Sequence, residues 1–263
     1  MHQSLAGHGV VYLNHQRYCI PGALAGETVR FIQRADRYLS TLIEVVDASP
    51  DRCPPACDQI ASCPGCSIRT LRPSAGRQLK QAQVLSFLGT ERTQGIPWED
   101  LGHVSRDGYR ARAVARALTN LEGQLVLGMA GRSDTPISLA QCPIQTDRCR
   151  SVMARVEADL NGLGLAPYNP VDRTGHIRHV IVEAFDEPVL DGIEPMGSTR
   201  VVICFGRPHT MSGLAGAILA DDPSVSLWSD ILPYRSPKTT AHPKLIRGPR
   251  TIELAVGGAH FQA

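Results

Sequence analysis

Short apolar runs broken by turn formers fill the first fifty positions. Val10–Leu13, Tyr18–Ile20, Thr28–Ile32 and Leu39–Val46 are rich in β-branched and aromatic residues. Gly7, Gly9, Pro21, Gly22 and Gly26 separate them, as turns would. This spacing predicts a small antiparallel β-barrel over residues 1–52, ending in the proline-rich "SPDRCPP". Beyond it the period lengthens. Leu79, Ala82, Leu85 and Leu88 recur at helical spacing after Pro73 and Ser74. "YRARAVARAL" and "QLVLGMA" alternate like two strands of a hairpin turned at "TNLEGQ". A second helix is expected after Cys142 and Pro143, with Ile144, Val152, Val156 and Leu160 on one face and "NGLG" as its stop. "HIRHVIVEAF" and "TRVVICFG" read as further strands, and the closing "RTIELAVGGAHFQA" as a strand hairpin leading into another unit. The fold class expected is therefore mixed. A β-barrel over 1–52 precedes an α/β domain over 53–263 whose sheet is mostly antiparallel.

Composition narrows the partners. The chain has 263 residues, 43% of them hydrophobic and 20% charged, enough for two modest domains that each bury a core. No apolar run approaches bilayer length, and "MHQSLAGHGV" lacks the basic head and apolar stretch of an export signal, so a cytoplasmic protein with no membrane partner is expected. A net charge of +2 says little by itself. Its distribution says more: no acid falls between Asp58 and Glu91, where Arg69, Arg72, Arg77 and Lys80 lie, and Arg106, Arg110, Arg112 and Arg116 follow. The stretch 151–200 is acid-rich instead.

Eight cysteines in a chain of this kind point to metal chemistry before disulfides. Cys53, Cys57, Cys63 and Cys66 fall within fourteen residues, three of them as C-x5-C-x2-C. Thiolates are soft ligands, and four arranged tetrahedrally suit zinc or an iron–sulfur cluster equally. The spacing leaves the fourth ligand open between Cys53, crowded by Pro54 and Pro55, and the distant Cys142 in "QCPIQ". Cys19, Cys149 and Cys204 sit in apolar or helical surroundings and read as small core residues. His176, His179 and His209 have no ligand spacing with the cysteines.

The ordered series Cys57-x5-Cys63-x2-Cys66, the "QLK" helix, "YRARA" and "CPI" at Cys142 resembles the TRAM-containing, iron–sulfur uracil-5 RNA methyltransferases that modify large-subunit ribosomal RNA. "GHGVVYL...CIPGALAGETV" is similar to the TRAM barrel of those enzymes, and the likeness runs along essentially the whole chain. The resemblance implies a [4Fe–4S] cluster held by Cys57, Cys63, Cys66 and Cys142, with zinc as the alternative metal. It also implies an OB-like barrel that holds RNA, for which Tyr12, Arg17, Tyr18, Arg34 and Arg37 are available. In the central domain Tyr109, Arg110 and Arg112 match the family's Tyr-Arg motif, and alternation places Arg110 and Arg112 on one strand face. Two departures stand near the cysteines and leave the sulfurs in place: Pro64-Gly65-Cys66 replaces Gly-Gly-Cys, and Arg69-Thr70 replaces Gln-His; Arg69 is counted among the candidate RNA contacts.

Methyl transfer in that family needs a cysteine nucleophile for uracil C6, a carboxylate base for the C5 proton, and S-adenosylmethionine held by a glycine-rich loop. None of these is assigned in this sequence. The chain is accordingly expected to be the RNA-binding, cluster-bearing front part of an enzyme making 5-methyluridine in ribosomal RNA, inactive alone. It would reach S-adenosylmethionine only through an absent Rossmann-like domain or a separately encoded one. The rival expectations are a stand-alone RNA-binding or regulatory protein and a zinc-bound structural adaptor.

Overall fold

A computed structural model describes residues 2–33, 38–95, 97, 105–132, 134–184, 199–207, 217–232, 242–250, 253–256 and 259–262. The chain divides into two compact units, Met1–Gly102 and His103–Ala263.

The first unit opens with β1 (His2–Gln3), β2 (Gly9–Leu13) and β3 (Gln16–Ile20), an antiparallel sheet in which Val10 faces Cys19 and Tyr12 faces Arg17. β4 (Thr28–Ile32) and β5 (Thr41–Asp47) form a separate antiparallel pair. A single bridge, Cys19 with Leu39, joins the β3 end to the segment before β5. All four expected runs are thus strands, arranged as two small sheets. Val10, Cys19, Ile20, Ala23 and Leu24 make the buried centre. Glu27 is buried among them, and its carboxylate accepts from the Leu24 amide and from the Arg52 guanidinium.

Residues 53–72 carry no helix or regular strand; they run through turns whose ends are tied together. Arg52 bridges Leu71, the Cys53 amide donates to Thr70 O at 2.7 Å, and the Arg72 amide to Asp51 O at 2.8 Å. Helix α1 (Pro73–Leu88) follows, with proline in its first turn, where a missing N–H costs nothing. It stops at Gly89, whose φ of 83° suits glycine, and a four-residue turn, α2 (Thr90–Thr93), comes after it. No residue of α1 is buried. Leu79 and Leu85 are half-buried, whereas Phe87 is 84% exposed and Val84 and Leu88 also face solvent.

Among its described residues the second unit holds a seven-stranded sheet with a long helix packed against it. The strands are β6 (Arg112–Thr119), β7 (Leu125–Ala130), β8 (Pro136–Ser138), β9 (Ile177–Ala184), β10 (Thr199–Phe205), β11 (Val225–Ile231) and β12 (Lys244–Arg247), ordered β12-β11-β10-β9-β6-β7-β8. Every pairing is antiparallel except β10 with β11, so the mostly antiparallel expectation matches the sheet. Helix α3 (Asp147–Gly162) lays Cys149, Val152, Met153, Val156 and Leu160 against the strands. It begins later than the sequence pattern suggests, because Thr146 is its N-cap: the Thr146 hydroxyl accepts from the Cys149 amide at 3.1 Å. Ile144 therefore precedes the helix. Arg148, in the first turn, reaches Asp222 at 2.7 Å and Thr199 at 3.1 Å, fixing α3 to the starts of β10 and β11. A last pair, β13 (Glu253–Val256) and β14 (Ala259–Gln262), forms the expected terminal hairpin.

Candidate nucleic-acid interface and cysteine loop

The cysteine loop places its thiols at the surface of turns. Cys53, Cys57, Cys63, Cys66 and Cys142 are all half-buried, and none of the described cysteines forms a disulfide. The Ile60 amide donates to Cys57 O, the Cys63 amide to Gln59 O at 2.7 Å, and the Gly65 amide points at Cys63 Sγ from 3.4 Å. Amide donors to sulfur are what a thiolate ligand needs to hold its charge. In the second unit Cys142 follows a single 3-10 turn, Leu139–Gln141, whose Leu139 carbonyl accepts its amide at 3.2 Å. The donor chemistry suits a soft metal. The gathering does not: among the described residues no three His, Cys, Asp or Glu side chains converge closely enough to hold a metal ion.

The other cysteines are core, as the sequence suggests. Cys149 Sγ donates to Gln145 Oε1 at 3.0 Å inside the α3 packing. Burial, with the Asp230 charge beside it, pushes the Cys204 thiol up to about 12 against the opposing pull of Arg178, so it stays protonated and inert.

In the first unit the candidate RNA contacts Tyr12 and Arg17 are exposed cross-strand partners on β2 and β3. The His2 ring stacks on Tyr12 with centroids 6.0 Å apart. Tyr18 instead packs against Phe31 at 5.5 Å. Beside this face lies an open cavity of about 490 Å³ walled by the N-terminal turn, Arg17 and Tyr38. Arg34 and Arg37 lie outside the described residues. Arg69 is only 7% exposed and offers little surface.

In the second unit Tyr109 stands 62% exposed just before β6. Arg110 curls back so that its Nε donates to the Arg112 carbonyl at 3.2 Å. The register sets Arg112, Glu183 and Arg200 in one row across β6, β9 and β10. Arg112 Nε meets Glu183 Oε1 at 2.8 Å, and Arg200 Nη2 meets Oε2 at 2.7 Å. Four residues further along β6, Arg116 lies opposite His179. Glu183, Arg200, His2, His8 and Tyr38 were not legible as site residues, since each joins its neighbours only through strand register or a tertiary turn.

No family model matches the chain. Its similar proteins nevertheless agree in class. An uncharacterized RNA methyltransferase of Staphylococcus epidermidis is 31% identical over 182 residues, spanning 67% of this chain and 40% of that protein. A 23S rRNA (uracil(1939)-C(5))-methyltransferase, RlmD, of Shewanella frigidimarina is 29% identical over 166 residues, spanning 60% of this chain and 36% of its own length. The crystal structure of Pyrococcus abyssi tRNA (uracil-54, C5)-methyltransferase with S-adenosyl-L-homocysteine superposes with a TM-score of 0.65 at 14% identity, covering 99% of this chain and 58% of that one. The homologues of this chain are thus RNA methyltransferases. More particularly, they include a ribosomal uracil-C5 methyltransferase, and the fold is similar to that of a transfer-RNA uracil-C5 methyltransferase. The chain spans about two fifths of the length of the curated relatives it matches.

Proposed function

We propose that residues 1–263 hold RNA for a methyltransferase that converts uridine to 5-methyluridine in ribosomal RNA with S-adenosylmethionine as methyl donor. The observation that carries this is the 182-residue match to RNA methyltransferases, joined to a fold likeness spanning 99% of the chain. The nucleophile, the base and the cofactor loop are assigned to the part of the relatives' length that the match leaves uncovered. On this reading residues 1–263 hold the RNA, and methyl transfer belongs to the part of the relatives' length that the match does not reach. Phosphates would be met by Arg17 on the first unit and by Arg110 and Arg112 on the second, while Tyr12 and Tyr109 offer exposed rings for stacking. The two small N-terminal sheets would act together as the RNA-holding face of an OB-like barrel.

Cys57, Cys63, Cys66 and Cys142 are proposed to hold a [4Fe–4S] cluster, or zinc in its place. Methyl transfer moves no electrons, so the metal's contribution would be to lock the loop. Because residues 53–72 are built of turns, metal binding itself would draw the thiols together. The test is a methyl-transfer assay with labelled S-adenosylmethionine and a 23S rRNA fragment, run beside metal analysis of anaerobically purified protein. RNA retention without label, together with bound iron or zinc, is expected. Label transfer by residues 1–263 alone would reassign the chemistry to this chain.

A further inference from the structure

The N-terminal cavity has the size and chemistry of a binding site that the motifs do not mark. Its volume of about 490 Å³ lies in the range of small-ligand pockets. His2, His8, Arg17 and Tyr38 supply polar and aromatic surface, and Leu5 and the buried Cys19 supply apolar surface. Arg17 brings a cation and Tyr38 an exposed ring to the walls, which suits a ligand that carries an anionic group and a flat ring.

The walls are fixed in advance. The Gln3 amide donates to the carbonyls of Gly7 and Ala23 and accepts from the Ala25 amide at 2.9 Å. Gln83 of α1 donates to Ser4 O at 3.0 Å, and the His8 amide to Ser4 Oγ at 3.0 Å. Gly7 has φ 79°, and a Cβ there would lie 2.7 Å from Ser67 Cβ, so the turn packs directly on the cysteine loop. On the opposite wall the Tyr38 hydroxyl accepts from Cys19 Sγ at 3.6 Å and from Arg17 Nη1 at 3.4 Å. Those bonds tether the phenol by its oxygen, while Tyr38 as a whole stands 74% exposed. A guanidinium has five N–H donors, and the Tyr38 bond uses one.

We propose that this cavity receives one nucleotide of a single RNA strand, its base stacked on Tyr38 and its phosphate on Arg17, with the next base meeting the stacked His2–Tyr12 pair. The inference rests on the RNA-holding role proposed above and adds to it a particular pocket. An RNA strand is favoured over a free nucleotide because His2, which lines the cavity, also stacks on Tyr12, so a second aromatic surface stands beside the first.

The test uses residues 1–263 and a fluorescein-labelled oligouridine. Tyr38→Ala should weaken binding about tenfold, the range of one lost base stack. Tyr38→Phe keeps the ring without the hydroxyl and should bind within about twofold of the parent. Arg17→Ala should flatten the salt dependence by about 0.7 in log–log slope. Photocrosslinking of the unsubstituted protein to 4-thiouridine RNA should place adducts within residues 2–38, a readout independent of any variant's folding. If the parent binds RNA but all three variants match it and adducts fall elsewhere, the pocket is wrong and the RNA-holding role survives. If Tyr38→Phe loses as much as Tyr38→Ala, stacking is not the cause and the proposal fails. If the parent binds no RNA, both readings fall.

Discussion

Arg52 grips the buried carboxylate of Glu27 with two donors, Nε on Oε1 and Nη2 on Oε2 at 2.8 Å, and passes a further bond to Gly22 O at 2.7 Å. This ties the "PGALAGE" turn to the start of the cysteine loop. Burial alone would push the Glu27 carboxyl up, but the Arg52, Leu24 and Ser49 donors outweigh it and hold the pKa below its ordinary value. A carboxyl depressed in the folded state stabilises the fold above its unfolded pKa and loses that contribution as pH falls through the folded one. Arg52→Ala strands a buried charge and should cost about 3 kcal/mol at pH 7. Urea midpoints measured from pH 7 down to pH 3 should show the parent losing stability in the acid range, with the gap between parent and variant narrowing there.

Glu183 binds Arg112 and Arg200 at once across three strands. Glu183→Gln should lower stability by about 1 kcal/mol, a modest figure because Arg112 is half exposed. Replacing Arg110 and Arg112 together by alanine should weaken RNA binding and lower its salt slope, with little change in far-ultraviolet circular dichroism. Binding unchanged from the parent at both low and high salt would remove both residues from the interface.

Thr146 joins two elements through one hydroxyl, accepting from the Cys149 amide and donating to Ala184 O at 3.1 Å. Thr146→Ala removes the α3 cap and leaves a buried β9 carbonyl without that donor, so a loss of about 2 kcal/mol is expected. Thr146→Ser, which keeps the hydroxyl, should recover most of it in thermal unfolding.

Cys142→Ser should empty the proposed metal site and lower stability, whereas Cys53→Ser should keep its metal. Iron, zinc and sulfide analysis with a visible spectrum reads both. Full metal in Cys142→Ser and none in Cys53→Ser would move the fourth ligand to Cys53.

Much of the fold can be read from periodicity, and the misses share a cause. β2 to β5, β6, β7, β9 and β10 announce themselves as β-prone or alternating runs, and α3 by its apolar face. β11 does not, since Ser226, Ser229 and Asp230 are buried polar residues that break the apolar pattern of a central strand. β8 is three residues long and opens with proline, while β12 is a four-residue edge beginning with lysine, lengths at which no period is visible. The leucines of α1 carry a helical signal, yet the helix buries none of its side chains, because periodicity reports a face and not its partner. At the site, the cysteine spacing and the Tyr-Arg motif are local and therefore legible. Glu183 beneath Arg112, and Tyr38 beside Arg17, are set by register and by a turn, which no local pattern encodes.

The most direct test of RNA holding is the affinity of residues 1–263 for a 23S rRNA fragment between 50 and 200 mM salt. The logarithm of the affinity should fall linearly with the logarithm of salt concentration, as released counterions require. Absence of binding at the lowest salt, or an affinity indifferent to salt, would contradict it.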